Sequence, residues 1–96
     1  MYLKTYKSGT EILVAVCDKD ILGKTLKEGD MTVEASEGFY KGNIASEEQV
    51  IDALSGSTSA NLFGKRAIEC AIKCGVVEPE CVMIIDCVPH AQMFRI

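Results

Sequence analysis

The sequence predicts an α+β fold: a two-layer sandwich in which a mostly antiparallel sheet of about five strands carries two helices packed on one side. Three observations point there. Glu11–Cys17 and Cys81–Val88 are short segments apolar on both alternating faces, apart from Asp86, as central strands are. Two helical patterns follow one another between them. Turn signals at Ser8-Gly9-Thr10 and Pro89-His90-Ala91 close a hairpin at each end of the chain.

The elements follow in order. Tyr2–Lys7 alternates and pairs with Glu11–Cys17 across the Ser8-Gly9-Thr10 turn. Asp18 caps a short turn over Lys19–Leu22 that Gly23 stops. Lys24–Asp30 reads as a polar loop, and Met31–Ala35 and Phe39–Lys41 as short strands around Ser36-Glu37-Gly38. Ser46-Glu47-Glu48-Gln49 is a capping box, in which serine and glutamine each satisfy a free amide of the helix start. Val50, Ile51 and Leu54 form the apolar stripe of that helix, and Ser55-Gly56-Ser57 ends it.

The second helix spans about Leu62 to Cys74. Phe63, Ala67, Ile68, Ala71 and Ile72 share one face; Lys65, Arg66, Glu69 and Lys73 share the other, with Glu69 and Lys73 spaced to pair. Gly64 lies on the apolar face, where it permits close approach to the sheet, and Gly75 ends the helix. Gln92–Ile96 closes the last hairpin.

A chain of 96 residues makes one domain, 1–96, with a modest core. Its apolar runs fall far short of the roughly 20 residues that cross a bilayer. The N-terminal residues form no signal-peptide core, so the expected location is the cytoplasm. Net charge is −4 with a pI near 4.9. The acid is concentrated beyond residue 27: residues 1–27 carry +2 and the rest −6. A DNA ligand is not expected of so acidic a chain, although a small basic patch remains compatible with RNA. The five cysteines, an odd number without a secretory signal, are expected as free thiols.

Several constellations carry possible chemistry. Gly23-Lys24-Thr25 follows a strand as a phosphate loop does, but Asp18 stands where that loop needs glycine, so a plain turn is the better reading. Cys70, Cys74, Cys81, Cys87 and His90 lack the spacing of a zinc site, and the cysteines read as core residues. No metal or other cofactor is implied. A catalytic set would need His90, the one histidine, beside Asp86 or Cys17. Asp86, alone in its apolar strand, is more simply the ion-pair partner of Arg95 or His90. Phe39-Tyr40-Lys41 places one ring in the core and one at the surface, where it can stack on a base. Thr58-Ser59-Ala60-Asn61 precedes the second helix and can offer an anion site, with Lys65 and Arg66 adding charge.

Four segments together resemble an archaeal family of small proteins catalogued as domain of unknown function 424. They are Ala15-Val16-Cys17-Asp18 with Leu22-Gly23-Lys24-Thr25; Phe39-Tyr40 with Gly42; Ser59-Ala60-Asn61-Leu62 with Gly64, Arg66 and Ala67; and Val88-Pro89-His90-Ala91-Gln92. The resemblance covers essentially the whole chain. It implies an archaeal cytosolic source, a compact α/β domain and a lean toward translation, but no catalytic residues. Its polar positions suit recognition better than bond-making. The candidate binding side chains are Asn61, Lys65, Arg66, His90, Gln92, Tyr40 and Lys24. The expected partner is RNA or a ribosome-associated protein. A small enzyme built on His90 and a protein adaptor built on the acidic helix or a sheet edge are the alternatives.

Overall fold

The computed structural model describes residues 1–95. Eight strands form: β1 (Tyr2–Ser8), β2 (Glu11–Cys17), β3 (Thr25–Glu28), β4 (Met31–Glu34), β5 (Asn43–Ile44), β6 (Ser59–Phe63), β7 (Met83–Ile85) and β8 (Val88–Phe94). The helices are α1 (Glu37–Tyr40), α2 (Glu47–Ser55) and α3 (Lys65–Lys73), with a 3₁₀ turn at Pro79–Cys81. The fold is α+β, as expected. Its main sheet has six strands in the order β5-β1-β2-β6-β8-β7, and β3–β4 make a separate hairpin. Among the described residues only β2 and β6 run parallel, with Leu13 facing Ser59 and Cys17 facing Phe63; the other pairs are antiparallel.

Strand alternation sorts the core into two. Val14, Val16, Ala60, Leu62, Ala91 and Met93 point to one face, where they pack with Val50 and Leu54 of α2 and Ala67, Ile68 and Ala71 of α3. Ala15, Cys17, Phe63 and Ile85 point to the other, packed with Leu26, Ala35 and Tyr40. The β3–β4 hairpin and α1 thus add a cover on the second face beside the expected helix layer. That cover explains why Glu11–Cys17 is apolar on both sides.

The cover also corrects the local reading. Lys24–Asp30 is no loop: Thr25–Glu28 pairs with Met31–Glu34 through the Gly29-Asp30 turn. Phe39–Lys41 is no strand, because Ser36 accepts a hydrogen bond from the Phe39 amide and caps the short α1. The capping box on α2 forms as predicted. Gly75 ends α3 with a left-handed φ of 80°.

The start of α3 differs most. Ser59–Phe63 is a central strand, and the helix begins after Gly64. The segment supplies neither a capping side chain at Gly64 nor an acid in the first turn. Both come from the residue just past the end of β2: Asp18, 6 % exposed, accepts hydrogen bonds from the Arg66 amide (Oδ2, 2.9 Å) and the Ala67 amide (Oδ1, 2.9 Å). Asp18 therefore caps α3 with its side chain, while its carbonyl accepts from Ile21 and Leu22 in the turn it was expected to cap. Gly64 is packed against that carboxyl group, with φ at 108°; a Cβ there would overlap it.

Asp18→Ala is expected to leave one buried and one part-buried amide donor unpaired and to lower stability by about 2–3 kcal/mol. For a chain of this size that is a fall in Tm of roughly 10 °C or more, measurable by thermal denaturation; an unchanged Tm would show that the cap contributes little.

Candidate functional site

The end of the chain is a hairpin, but its turn begins at Asp86, three residues before the expected Pro89. Asp86 and Cys87 carry left-handed φ values of 52° and 66° and connect β7 to β8 in a two-residue turn. Pro89, His90 and Ala91 consequently lie inside a strand, paired with β6 on one side and, for Pro89 and His90, with β7 on the other. Cys81–Val88 is not a central strand: β7 is a three-residue edge strand, and Met83 and Ile84 are exposed. Ile96, the end of the expected closing strand, lies outside the described residues.

His90 is 9 % exposed. Its ring stacks on Phe63, its cross-strand partner, with centroids 3.9 Å apart, and its Nδ1 lies 2.8 Å from the Leu62 carbonyl. That oxygen can only accept, so Nδ1 carries the proton and the neutral ring donates. Burial holds the imidazole pKa below its ordinary value, with the Leu62 bond acting weakly in the opposite direction.

The enzyme set is not assembled. Cys17 and His90 flank Phe63 from opposite sides on one cross-sheet row, two strand spacings or about 10 Å apart. Burial, followed by the charges of Asp18 and Asp20, pushes the Cys17 thiol up to about 12. Asp86 is exposed in the turn, where its amide donates to Glu28 at 3.0 Å. It forms no ion pair with Arg95 or His90; the ion pair among the described residues joins Lys73 to Glu47 of α2 at 2.9 Å, not to Glu69. The expectation of four core cysteines also needs correction: Cys70 is buried and Cys74 half-buried, but Cys81 and Cys87 are exposed because they flank an edge strand. Among the described residues no group of histidine, cysteine and acid could hold a metal.

The anticipated anion site at α3 is already filled by the Asp18 carboxylate. Lys65 and Arg66 sit exposed in the first turn of a helix that packs on the face opposite Asn61. Tyr40 is the core ring of its pair, 4 % exposed and edge-on to Phe63; Phe39 is half-buried and stacked on Tyr6. Tyr40 is therefore not available as a surface stacking ring. Lys24 is exposed just before β3.

Asn61, His90 and Gln92 do come together. They share the face of the sheet that carries Phe63, and Gln92 Nε2 donates to Asn61 Oδ1 at 2.9 Å. The cover stops short of this end of the sheet: Ser59 and Asn61 are half-buried, and Gln92 is exposed. Phe94, two residues along the same face and opposite Ser59, is 75 % exposed. The result is an uncovered strip of central sheet bearing an aromatic ring and an amide pair. Among the described residues, Asn61 Nδ2 and Gln92 Oε1 make no further hydrogen bond. Sequence reasoning passed over Phe94, although its alternation with Gln92 on a strand was the available signal.

The model of the family described as "Protein of unknown function (DUF424)" matches residues 6–96. The chain belongs to the DUF424 family. Its structure is similar to the crystal structure of an uncharacterized conserved protein from Methanopyrus kandleri, with a TM-score of 0.79 and 26 % identity over 96 % of this chain and 88 % of that one. No curated protein matches the sequence. Among the described residues no helix is long and apolar enough to cross a membrane.

Two outcomes test this geometry. The His90 pKa is lower in the folded chain than in the unfolded one, so the unfolded state takes up a proton first as pH falls. Stability is expected to be fully present above about pH 6.5 and to decline below it. His90→Gln should flatten that part of a Tm-against-pH curve, whereas an unchanged slope would assign it elsewhere. Iodoacetamide is expected to alkylate Cys81 and Cys87 in the native protein and to reach Cys17 and Cys70 only on unfolding, as read by mass spectrometry of peptides.

Proposed function

We propose that this chain is a non-enzymatic binding domain that holds single-stranded RNA on the uncovered strip of its sheet, in translation or RNA metabolism. The observation that carries the reading is Phe94, three-quarters exposed beside the Asn61–Gln92 amide pair. An exposed ring on a sheet offers a stacking platform to any base, and neighbouring amides can bond a base edge. The buried, polar-bonded His90 beside them on the same face supports a fixed surface rather than a reacting one. Acidic charge elsewhere argues for few phosphate contacts, with affinity resting on stacking, and hence for single strands over duplex.

The test is fluorescence anisotropy of labelled oligoribonucleotides with the full chain. Phe94→Ala is expected to weaken binding about 10-fold or more, since one stacked base is worth roughly 1–3 kcal/mol. It should leave Tm nearly unchanged, because the ring is not part of the core. Gln92→Ala should weaken binding less. Equal affinity of Phe94→Ala and wild type, or no binding of single strands at all, would sink the reading. Sedimentation of the native protein with ribosomal fractions, and its release by nuclease, would support the link to translation.

A further inference from the structure

The hydrogen-bond register leaves one side of β8 open where β7 ends. Gly64 donates to the Pro89 carbonyl and Arg95 to Thr58. In the same register Leu62 faces Ala91 and Ala60 faces Met93. Odd-numbered residues of β8 thus bond toward β6, and even-numbered ones point the other way. His90 meets Met83 there, but β7 extends no further. The backbone N–H and C=O of Gln92 and Phe94 therefore point outward from a strand edge with no neighbouring strand.

That edge forms one wall of an open groove of about 220 Å³, lined by Gln92, Met93 and Phe94 on the strand and by Val76, Val77, Glu78 and Cys81 across from it. Apolar side chains, one carboxylate, an aromatic ring and a donor and acceptor of fixed direction converge on a small space. We propose that this groove binds a nucleobase, its pairing edge bonded to the free N–H and C=O of Gln92 and its ring packed on Phe94. The proposal rests on the RNA reading only for the source of the base, which a free nucleotide could equally supply.

The occupant is argued from size and hydrogen bonding. Every base presents adjacent donors and acceptors on its pairing edge, and single-stranded RNA offers those edges unpaired. A partner strand fits less well. Strands are commonly five or six residues long, whereas among the described residues the open backbone pairs are those of Gln92 and Phe94, following the paired His90.

The experiment is an NMR titration of the ¹⁵N-labelled full chain, with hexaadenylate in one arm and adenosine 5′-monophosphate in the other. The Gln92 and Phe94 amides are expected to shift about threefold more than those of Ala91 and Met93, which already bond to β6. Cys81→Phe, a change at an exposed position that fills the groove, should weaken hexaadenylate binding about 10-fold, a loss of 1.4 kcal/mol. Shifts with the monophosphate but not the oligomer would support the groove and overturn the RNA reading. RNA binding that depends on Phe94, with no excess shift at Gln92 and Phe94 or with Cys81→Phe binding normally, would overturn the groove and leave the sheet surface standing. No shift in either arm overturns the groove. A dimer in which these two amides are protected from exchange would put a second copy on the edge and overturn it as well.

Discussion

The carboxylate of Asp18 fastens the fold together. It sits just past the end of β2, and its two oxygens take the Arg66 and Ala67 amides of α3, forty-eight and forty-nine residues away in sequence. Its own amide donates to the Phe63 carbonyl at the end of β6. One residue thereby aligns the two parallel central strands and seats the main helix. The helix needs this help because its first turn is Lys65-Arg66, the wrong charge for the positive end of its dipole. Gly64 is the matching constraint, since a side chain there would occupy the space of the carboxyl group.

Once α3 is seated, both faces of the central strands are committed. The helices close over Val14, Val16 and Leu62, and the β3–β4 hairpin with α1 closes over Cys17 and Phe63. The second cover is smaller than the sheet. Lys4, which donates to Gly38, and Tyr6, which donates to Phe39, anchor α1 over β1 and β2. The contact of Glu28 with the Asp86 amide ties β3 to the β7–β8 turn. Between those anchors the far ends of β6 and β8 stay bare. The uncovered strip thus follows from where the short elements can reach, and its polar side chains at Asn61 and Gln92 fit an exposed sheet face.

Much of this was legible in the sequence. The first hairpin, the capping box of α2 and the C-terminal stop of α3 are local, and each is written in adjacent residues. Asn61 and Gln92 stood out separately as candidate positions, but their contact across β6 and β8 comes from the strand register and was not written in adjacent residues. Misreadings arose where tertiary contacts outweighed local signals. Ser59–Phe63 looked like a helix entrance because the true cap of α3, Asp18, lies far away in sequence, just past the end of β2. Thr25–Glu28 looked like a loop because only one of its residues, Leu26, is buried. Cys81–Val88 looked like a covered strand because it is apolar apart from Asp86, yet it forms an edge whose left-handed turn is built from Asp86 and Cys87 rather than glycine.

That edge links the stability of the sheet to the proposed site. Apolar edge strands invite unwanted pairing, and proteins commonly protect them with charge, proline or a covering segment. Here Glu28 occupies the amide at the turn, and the three-residue length of β7 limits what remains. The shortness of β7 also uncovers Gln92 and Phe94 of β8, on the strand whose outward side chains form the amide and aromatic strip. A longer β7 would protect the edge and erase the groove. The same local economy that keeps the sheet from extending into a neighbour therefore leaves two backbone pairs and one ring facing solvent, and those are the groups a flat, hydrogen-bonding ligand can use.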